Sequence, residues 1–568
     1  MKSSHLVYKV GFLGAPDSSH ERQFTVPVEW SPQNVDRLKA LGFNAVQLNV
    51  AWGSRPGDEP LNLEDVVELD PARQELWPQP VPLRCDPSRE RLESRRKALR
   101  DRIAWCRQAG LRTIFHFGAP YNAHARYGDE PPNCISDPRV ARRHVLLLET
   151  FARDFPGVDD ILVYTYDQDA WLCSEFGRCP RCLGVPLHER LVPFLDRLKD
   201  AWGRLSPAGR LWWEPWELSA GQVLACVERL GPAGLGLALH TNIAEVQATR
   251  VADRWLKNTC RLAQQRGIPV IVEHFLGACS EELEPFAHLA HPLVTLRALQ
   301  AITAIPGVVG FKEYFGLVVN GEDPNLRMTS LFFAEPQVDE EEALAMLARP
   351  YGPAAERMIA FWRQTSTGME LFPWDTSWFM REIGRSDPAH SLSGAMLRGQ
   401  QAHTPSWEST RRAIFMKTDD AACDPWMFED VQLRCKQAAD RWATALEIGR
   451  QALPTIPETL RGHFQKTLAE LGGLHRRSLA YAFHLRETNL AMILRRCQAD
   501  GQPYPAHIVQ ELEQVLHEDI ENCSGEKDWP EAREALRLLK QDLDTFLRTW
   551  LLPAPDRRSR GAFSVTSG

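Results

Sequence analysis

Two short stretches of this sequence are dense enough in reactive side chains to organise a site. One is Asp167-Gln168-Asp169, two carboxyls around an amide with Trp171 close behind; the other is Cys173-x5-Cys179-x2-Cys182, with Cys134 upstream of both. Carboxyls move protons and stabilise cationic centres, and four thiolates suit a tetrahedral zinc ion of the closed, structural kind. Further acids and aromatics recur along the chain: Trp52, His116 and Tyr121, Trp213, Glu214 and Trp216, His240 and Asn242, Glu273 beside His274, and Glu313 with Tyr314. Carboxyls interleaved with indoles and phenols are what cleavage of an acetal between sugars needs. One carboxyl protonates the leaving oxygen while another stabilises an oxocarbenium-like centre, and indoles stack on the apolar faces of sugar rings.

These residues gain meaning from the elements that lead into them. Eight short apolar runs precede them: Leu6–Gly14, Asn44–Val50, Arg112–Gly118, Asp160–Tyr166, Arg210–Trp213, Leu235–His240, Pro269–Val272 and Val308–Phe315. Amphipathic stretches such as Pro32–Leu41, Arg91–Ala109, Leu187–Leu205 and Val251–Arg266 lie between them, each ending near Gly or Pro. Strand and helix in strict alternation predict an α/β fold, and eight strands are the count of a (β/α)8 TIM barrel. A doubly wound sheet would bring a G-x-G-x-x-G after its first strand, and none is present. In a barrel the active site forms at the carboxyl ends of the strands, which is where every candidate above falls. From about Asp339 the periodicity becomes helical without strand signals, so an all-α C-terminal domain is expected to follow. The divisions read as 1–335 for the barrel, 336–553 for the helical domain and 554–568 for a polar tail.

Composition narrows the classes. The chain has 568 residues, a formal net charge of −8, and 18 Trp against 9 Tyr. An acidic chain lacks the basic face that nucleic acid or an anionic membrane requires. No run is long enough to span a bilayer, and the start reads as neither signal peptide nor anchor. With 13 cysteines and no secretion signal, thiols or a metal are favoured over disulfides. The expectation is a cytoplasmic protein with a carbohydrate substrate, no catalytic cofactor and a structural zinc, the homo-oligomeric state being left open.

The segment Tyr164-Thr-Tyr-Asp-Gln-Asp-Ala-Trp171 resembles the family 42 β-galactosidases and other retaining glycoside hydrolases of clan A. There an amide-then-acid pair closes strand four and a glutamate closes strand seven. The resemblance implies that Gln168 touches the hydroxyl beside the anomeric carbon, that Asp169 is the general acid/base, and that Glu273, in the stretch IVEHFLG, is the nucleophile. Asp167, Glu214 and Glu313 would shape the site. Asp169 is one methylene shorter than that family's glutamate and Gln168 one longer than its asparagine. Many members also carry a cysteine zinc cluster in the loops after strands three and four, which matches Cys134, Cys173, Cys179 and Cys182. The helical part, with Tyr351-Gly-Pro-Ala-Ala355 and Phe372-Pro-Trp374, is similar to the C-terminal domains of α-glucuronidase-like and hexosaminidase-like barrels. That likeness implies an alternative, a substrate-assisted β-N-acetylhexosaminidase in which Asp167 and Asp169 both work. A third reading is a metal-dependent barrel hydrolase or isomerase with His116, His240 and Glu214 as ligands.

Overall fold

The computed structural model describes residues 6–14, 28–50, 59–70, 81–83, 85–123, 125, 130–166, 169–215, 218–240, 254–278, 283, 286–319, 322–374, 425–523 and 530–549. The chain divides into two compact units, one running through residue 352 and one beginning at Pro353. No helix among the described residues is long and apolar enough to cross a membrane.

The first unit is a closed barrel of eight parallel strands in sequential order. The strands are β1 (Tyr8–Gly11), β2 (Ala45–Gln47), β3 (Arg112–Gly118), β4 (Asp160–Tyr164), β5 (Leu211–Glu214), β6 (Leu235–His240), β7 (Val270–His274) and β8 (Val308–Glu313). All eight fall within or overlap the apolar runs read from the sequence. Helices α1 (Pro32–Ala40), α2 (Arg89–Gln108), α3 (Pro138–Asp154), α4 (Leu187–Leu205), α5 (Ala220–Val227), α6 (Arg254–Gln265) and α7 (Pro292–Thr303) connect successive strands. Helices α8 (Pro324–Ala334) and α9 (Glu340–Ala348) follow β8.

Local chemistry sets several of these boundaries. At α1, α3 and α8 a Ser or Asp cap precedes a proline in the first turn: Ser31, Asp137 and Asp323 accept from the backbone N–H of Asn34, Arg139 and Asn325. The proline has no N–H to leave unsatisfied and its φ is already helical, while the cap satisfies a free donor. Gly110 turns the chain from α2 into β3 at φ 72°, a left-handed conformation that costs a glycine nothing.

Inside the barrel, Val10, Ala45, Ile114, Leu162, Trp212, Ala238 and Ile271 form one buried layer, one residue from each of seven strands. Trp212 fits because its neighbour is Gly236, where a Cβ would lie 2.2 Å from the indole. Asp160 joins strands here: Arg112 grips both of its oxygens at 2.6 Å, and the Trp212 N–H lies 3.3 Å from Oδ2.

The second unit is helical throughout its described residues. Its elements are α10 (Ala355–Leu371), α11 (Pro425–Ala452), α12 (Glu458–Ala499), α13 (Ala506–Cys523), α14 (Pro530–Gln541) and α15 (Leu543–Thr549). Leu490, Leu494, Leu512, Leu516, Leu539 and Phe546 pack at its core. The expected fold class, a TIM barrel followed by an all-α region, is therefore what the chain adopts.

Candidate active site

Side chains alternate in and out along a barrel strand, so the residue two past each core position also points inward. That rule carries His116 (β3), Glu214 (β5), His240 (β6) and Glu273 (β7) into one buried centre above the apolar layer. His240 Nε2 lies 3.2 Å from Glu214 Oε1 and 2.8 Å from Glu273 Oε2. His116 Nε2 lies 3.0 Å from Glu214 Oε2. The Gln47 amide is 3.3 Å from His116 Nδ1, and with the amide donating there the Nε2–H is left for Glu214. Asn49 fixes the same strand, accepting from the His116 N–H and donating to its carbonyl. The fifth member is Lys312, whose Nζ sits 2.6 Å from Glu273 Oε1.

Electrostatics in this centre favour charge separation. Burial alone would push Glu214 up, but His116 and His240 on its two oxygens, with Lys312 near, hold its carboxyl well below the usual range. Burial opposes charge on His240 too, yet Glu273 and Glu214 keep its pKa above the ordinary imidazole value. Glu273 thus has Lys312 Nζ against one oxygen and the His240 ring, whose protonated form its neighbours favour, against the other. Glu214, His240 and Glu273 present ligand atoms within 4.8 Å of one another, which is also metal-binding geometry.

Asp169 belongs to a different neighbourhood. Its backbone N–H donates to the Tyr164 hydroxyl at 3.3 Å and its carbonyl accepts from Asn122 at 2.6 Å. Its charge reaches Glu64 and Asp65, both buried in a 3-10 turn (Leu63–Asp65) of the loop after β2. Burial first, and the Asp169 charge in addition, raise Glu64 to about 8 and Asp65 to about 7. The chain therefore carries two carboxyl groupings of opposite character, one balanced by cations and one rich in acids.

The loops that hold Asp169 are stitched together. Asn122, after β3, donates to the carbonyls of Asn133 and Trp171, and Tyr121 forms an isolated bridge with Ala170. Cys134, Cys173, Cys179 and Cys182 converge on the same junction, their sulfurs within 4.8 Å of one another, with Cys134 Sγ 3.2 Å from Cys182 Sγ and 3.8 Å from Cys179 Sγ. Sulfurs at about 2.3 Å from one tetrahedral zinc would be about 3.8 Å apart, so the donor set and its spacing fit that ion. The Cys173 thiol donating to it brings Cys134 down to about 5, the thiolate form a metal takes.

Other expected residues take other roles. Trp213 lies between the inward Trp212 and Glu214 and points outward; it is fully buried and its indole N–H donates to Thr165 Oγ1 at 3.1 Å, so it offers no face to a sugar. Glu313 is turned to the backbone, accepting from the N–H groups of Leu276, Phe315 and Gly316, which corrects its placement among substrate-facing acids. Tyr121 is buried, with its hydroxyl 3.3 Å from the Pro82 carbonyl. Tyr314 packs edge-on to His240, and Trp171 on Tyr166. Trp52, Asp167, Gln168, Trp216 and Asn242 lie outside the described residues.

Sequence reasoning passed over Lys312, Glu64 and Asp65. A register shift between β7 and β8, opposite Val270/Ile271, changes the parity of β8, so Lys312 turns to Glu273 while Phe311 packs on Phe332 of α8. The acid pair in Asn62-Leu-Glu-Asp65 was visible as a capping box, whose function is local.

No family model matches the chain, and no curated protein matches it. Solved structures do. A GH138 enzyme targeting pectin rhamnogalacturonan II superposes with a TM-score of 0.60 at 11% identity, covering 95% of this chain and 70% of that one. CpGH84B matches at 0.40 and 10% identity, over 96% of this chain and 77% of its own. PbGH5A, a glycoside hydrolase family 5 enzyme from Prevotella bryantii B14, matches at 0.37 and 13%, over 59% and 99%. At such identities the similarity to the first of these is one of fold, extending over nearly the whole chain.

Proposed function

We propose that the barrel is a glycoside hydrolase in which Glu273 is the nucleophile and Asp169 the general acid/base. The observation that carries this reading is the placement of two carboxyls in opposite surroundings: Glu273 lies between Lys312 and His240, whereas the Asp169 charge acts on two buried acids, Glu64 and Asp65. Glu273, between Lys312 and His240, suits attack on an anomeric carbon as a carboxylate. Asp169, beside two acids with raised pKa, suits proton donation to the leaving oxygen, and the same group would then take a proton from the water that hydrolyses the glycosyl-enzyme. Glu214 holds His240 and His116 in place. Glu273 is fully buried, so substrate entry requires side chains at the strand ends to part. The four cysteines would hold a structural zinc that ties the loop bearing Asp169 to the loop after β3.

The test is a panel of chromogenic galactosides, glucosides, N-acetylhexosaminides and glucuronides. Pectic oligosaccharides join it because the 0.60 neighbour is an enzyme targeting pectin. Release of product with retained anomeric configuration, loss of turnover by orders of magnitude in Glu273→Gln, and a loss of about 10²–10⁴-fold in Asp169→Asn are expected. Activity surviving in Glu273→Gln but lost in Asp167→Asn would replace this reading with the substrate-assisted one.

One observation favours a second reading: Glu214, His240 and Glu273 could ligate a metal. Such an ion would have to take the place of the contacts His240 Nε2 makes with Glu273 Oε2 and Glu214 Oε1, while Lys312 stays on the other Glu273 oxygen. Inactivation by a chelator, reversed by a divalent cation, would establish the metal-dependent chemistry.

A further inference from the structure

The two carboxyl oxygens of Glu273 have different neighbours, and the difference bears on which of them can react. Oε1 faces Lys312 Nζ at 2.6 Å, and that ammonium makes no other hydrogen bond or ion pair among the described residues. Oε2 faces His240 Nε2 at 2.8 Å, but the same nitrogen has a second acceptor, Glu214 Oε1, at 3.2 Å. A ring nitrogen between two carboxylates carries its hydrogen, because a bare lone pair there would meet two anions. That hydrogen is aligned on the farther acid: it bonds to Glu214, whereas Glu273 Oε2, although nearer, accepts no hydrogen bond. Glu214 is fixed from its other side by His116, 3.0 Å from its Oε2, whose ring is met in turn by the Gln47 amide at 3.3 Å. Tyr314 packs edge-on to His240, so the imidazole is backed by packing as well as by its acceptors. All of these groups are buried, which leaves their mutual contacts to decide what each oxygen can do.

A carboxylate attacks an anomeric carbon with one oxygen, and that oxygen must be uncovered. We propose that Glu273 attacks with Oε2, released when His240 turns its N–H wholly to Glu214, while Lys312 stays on Oε1. Glu214 and Lys312 are then positioning residues that set the two oxygens apart. His240 can withdraw from Oε2 and keep a hydrogen bond, because Glu214 is already its acceptor. Lys312 could withdraw from Oε1 only by stranding a buried ammonium. In the first step the bond between Oε2 and the anomeric carbon forms as the bond from that carbon to the leaving oxygen breaks; the leaving oxygen keeps the electron pair and takes the proton of Asp169. Oε1 becomes the carbonyl oxygen of the glycosyl ester, with the Lys312 ammonium as its donor. In the second step water bonds to the anomeric carbon and gives a proton to Asp169, while the electron pair of the Oε2–carbon bond returns to Glu273, where Lys312 meets the restored charge. This rests on Glu273 being the nucleophile of the proposed reaction.

The experiment pairs kinetics with structure. Glu214→Leu removes the second acceptor and leaves His240 with Glu273 Oε2, so kcat for the best chromogenic glycoside of the panel should fall about a hundredfold or more. Glu214→Gln keeps an acceptor for the imidazole N–H and should restore most of that loss. Removing the imidazole as well, in Glu214→Leu combined with His240→Ala, should regain about tenfold over Glu214→Leu alone, a sign that two packing defects would not give. A double variant no better than Glu214→Leu overturns the release. With no substrate present, a crystal structure of Glu214→Leu should show the imidazole turned to donate to Glu273 Oε2, and a ring that has not moved overturns it too. If Glu214→Leu does not fold, the wild type labelled with the 2-deoxy-2-fluoroglycosyl fluoride of the same sugar decides. The anomeric carbon should then sit on the Glu273 oxygen turned away from Lys312, with His240 on Glu214; a sugar on the oxygen facing Lys312 overturns the assignment. Failure of the glycosidase reading would appear instead as full activity in Glu273→Gln or as a label on a residue other than Glu273, and would leave the unliganded structure of Glu214→Leu as expected.

Discussion

At the scale of single residues, the two charges on Glu273 are the sharpest point. Lys312 and Glu273 are both buried, 2.6 Å apart, so truncating one leaves the other uncompensated in a region of low dielectric. Lys312→Met is expected to destabilise the protein by about 3–5 kcal/mol, read as a lower midpoint in urea, and to reduce turnover together with it. A stability within about 0.5 kcal/mol of wild type would mean that Glu273 has another counter-ion. Lys312 also shows where legibility ended. Glu214, His240 and Glu273 could be read from the sequence because a parallel strand presents its last inward residue to the mouth of the barrel. Lys312 could not, because a local register shift, which no spacing announces, reversed the parity of β8 and turned Glu313 to three backbone amides instead.

At the scale of elements, the strands and helices α1, α2, α4 and α6 follow local rules and were legible to within a few residues, whereas the loops depend on distant partners. The loop after β2 is held by arginines of α2: Arg102 grips both oxygens of Glu59 at 2.7 Å and Arg96 donates to the Val66 carbonyl at 2.9 Å. Nothing in the sequence of that loop specifies those contacts. The cysteine cluster was legible from the Cys173-x5-Cys179-x2-Cys182 spacing once the barrel made the loops after β3 and β4 neighbours, which brings in Cys134. If it holds zinc, the purified protein contains one equivalent per chain, and Cys182→Ser or strong chelation loosens residues 130–185 toward proteases while β3 and β4 stay paired. Absence of metal by elemental analysis would make the four sulfurs ordinary buried thiols. A strand-level test is Gly236→Ala, whose methyl would meet the Trp212 ring at 2.2 Å. Overpacking at a rigid indole should cost about 3 kcal/mol or more, seen as a lower Tm.

At the scale of the whole molecule, the buried titratable groups fix how stability depends on pH. Burial raises Glu64 to about 8, Asp65 and Glu313 to about 7, and Asp323 to about 6 in the barrel, and lifts Glu487 of the helical unit well above the usual range. Each holds a proton in the folded state that the unfolded chain releases near pH 4, so its contribution is complete below that value and is lost as pH rises toward the folded pKa. His144 and His291, lowered to about 4, and His274, lowered to about 3, act in the opposite sense. Unfolded imidazoles bind protons below about pH 6.5, so these three weaken the fold as pH falls through that range. Between about pH 4.5 and 6.5 the two sets largely offset one another. Above 6.5 the histidine contribution ends, His240 joins the acids because its raised pKa favours the protonated folded form, and each group still protonated costs about 1.4 kcal/mol per pH unit. Below about pH 4.5 Glu214, held well under its unfolded value, adds its own loss on the acid side. Thermal or denaturant midpoints from pH 4 to 9 should therefore peak near pH 5, decline gently to 6.5 and fall steeply toward 8. A midpoint that stayed level or rose between pH 6.5 and 8 would mean that these carboxyls are ionised in the folded state, with counter-charges that the described residues do not supply.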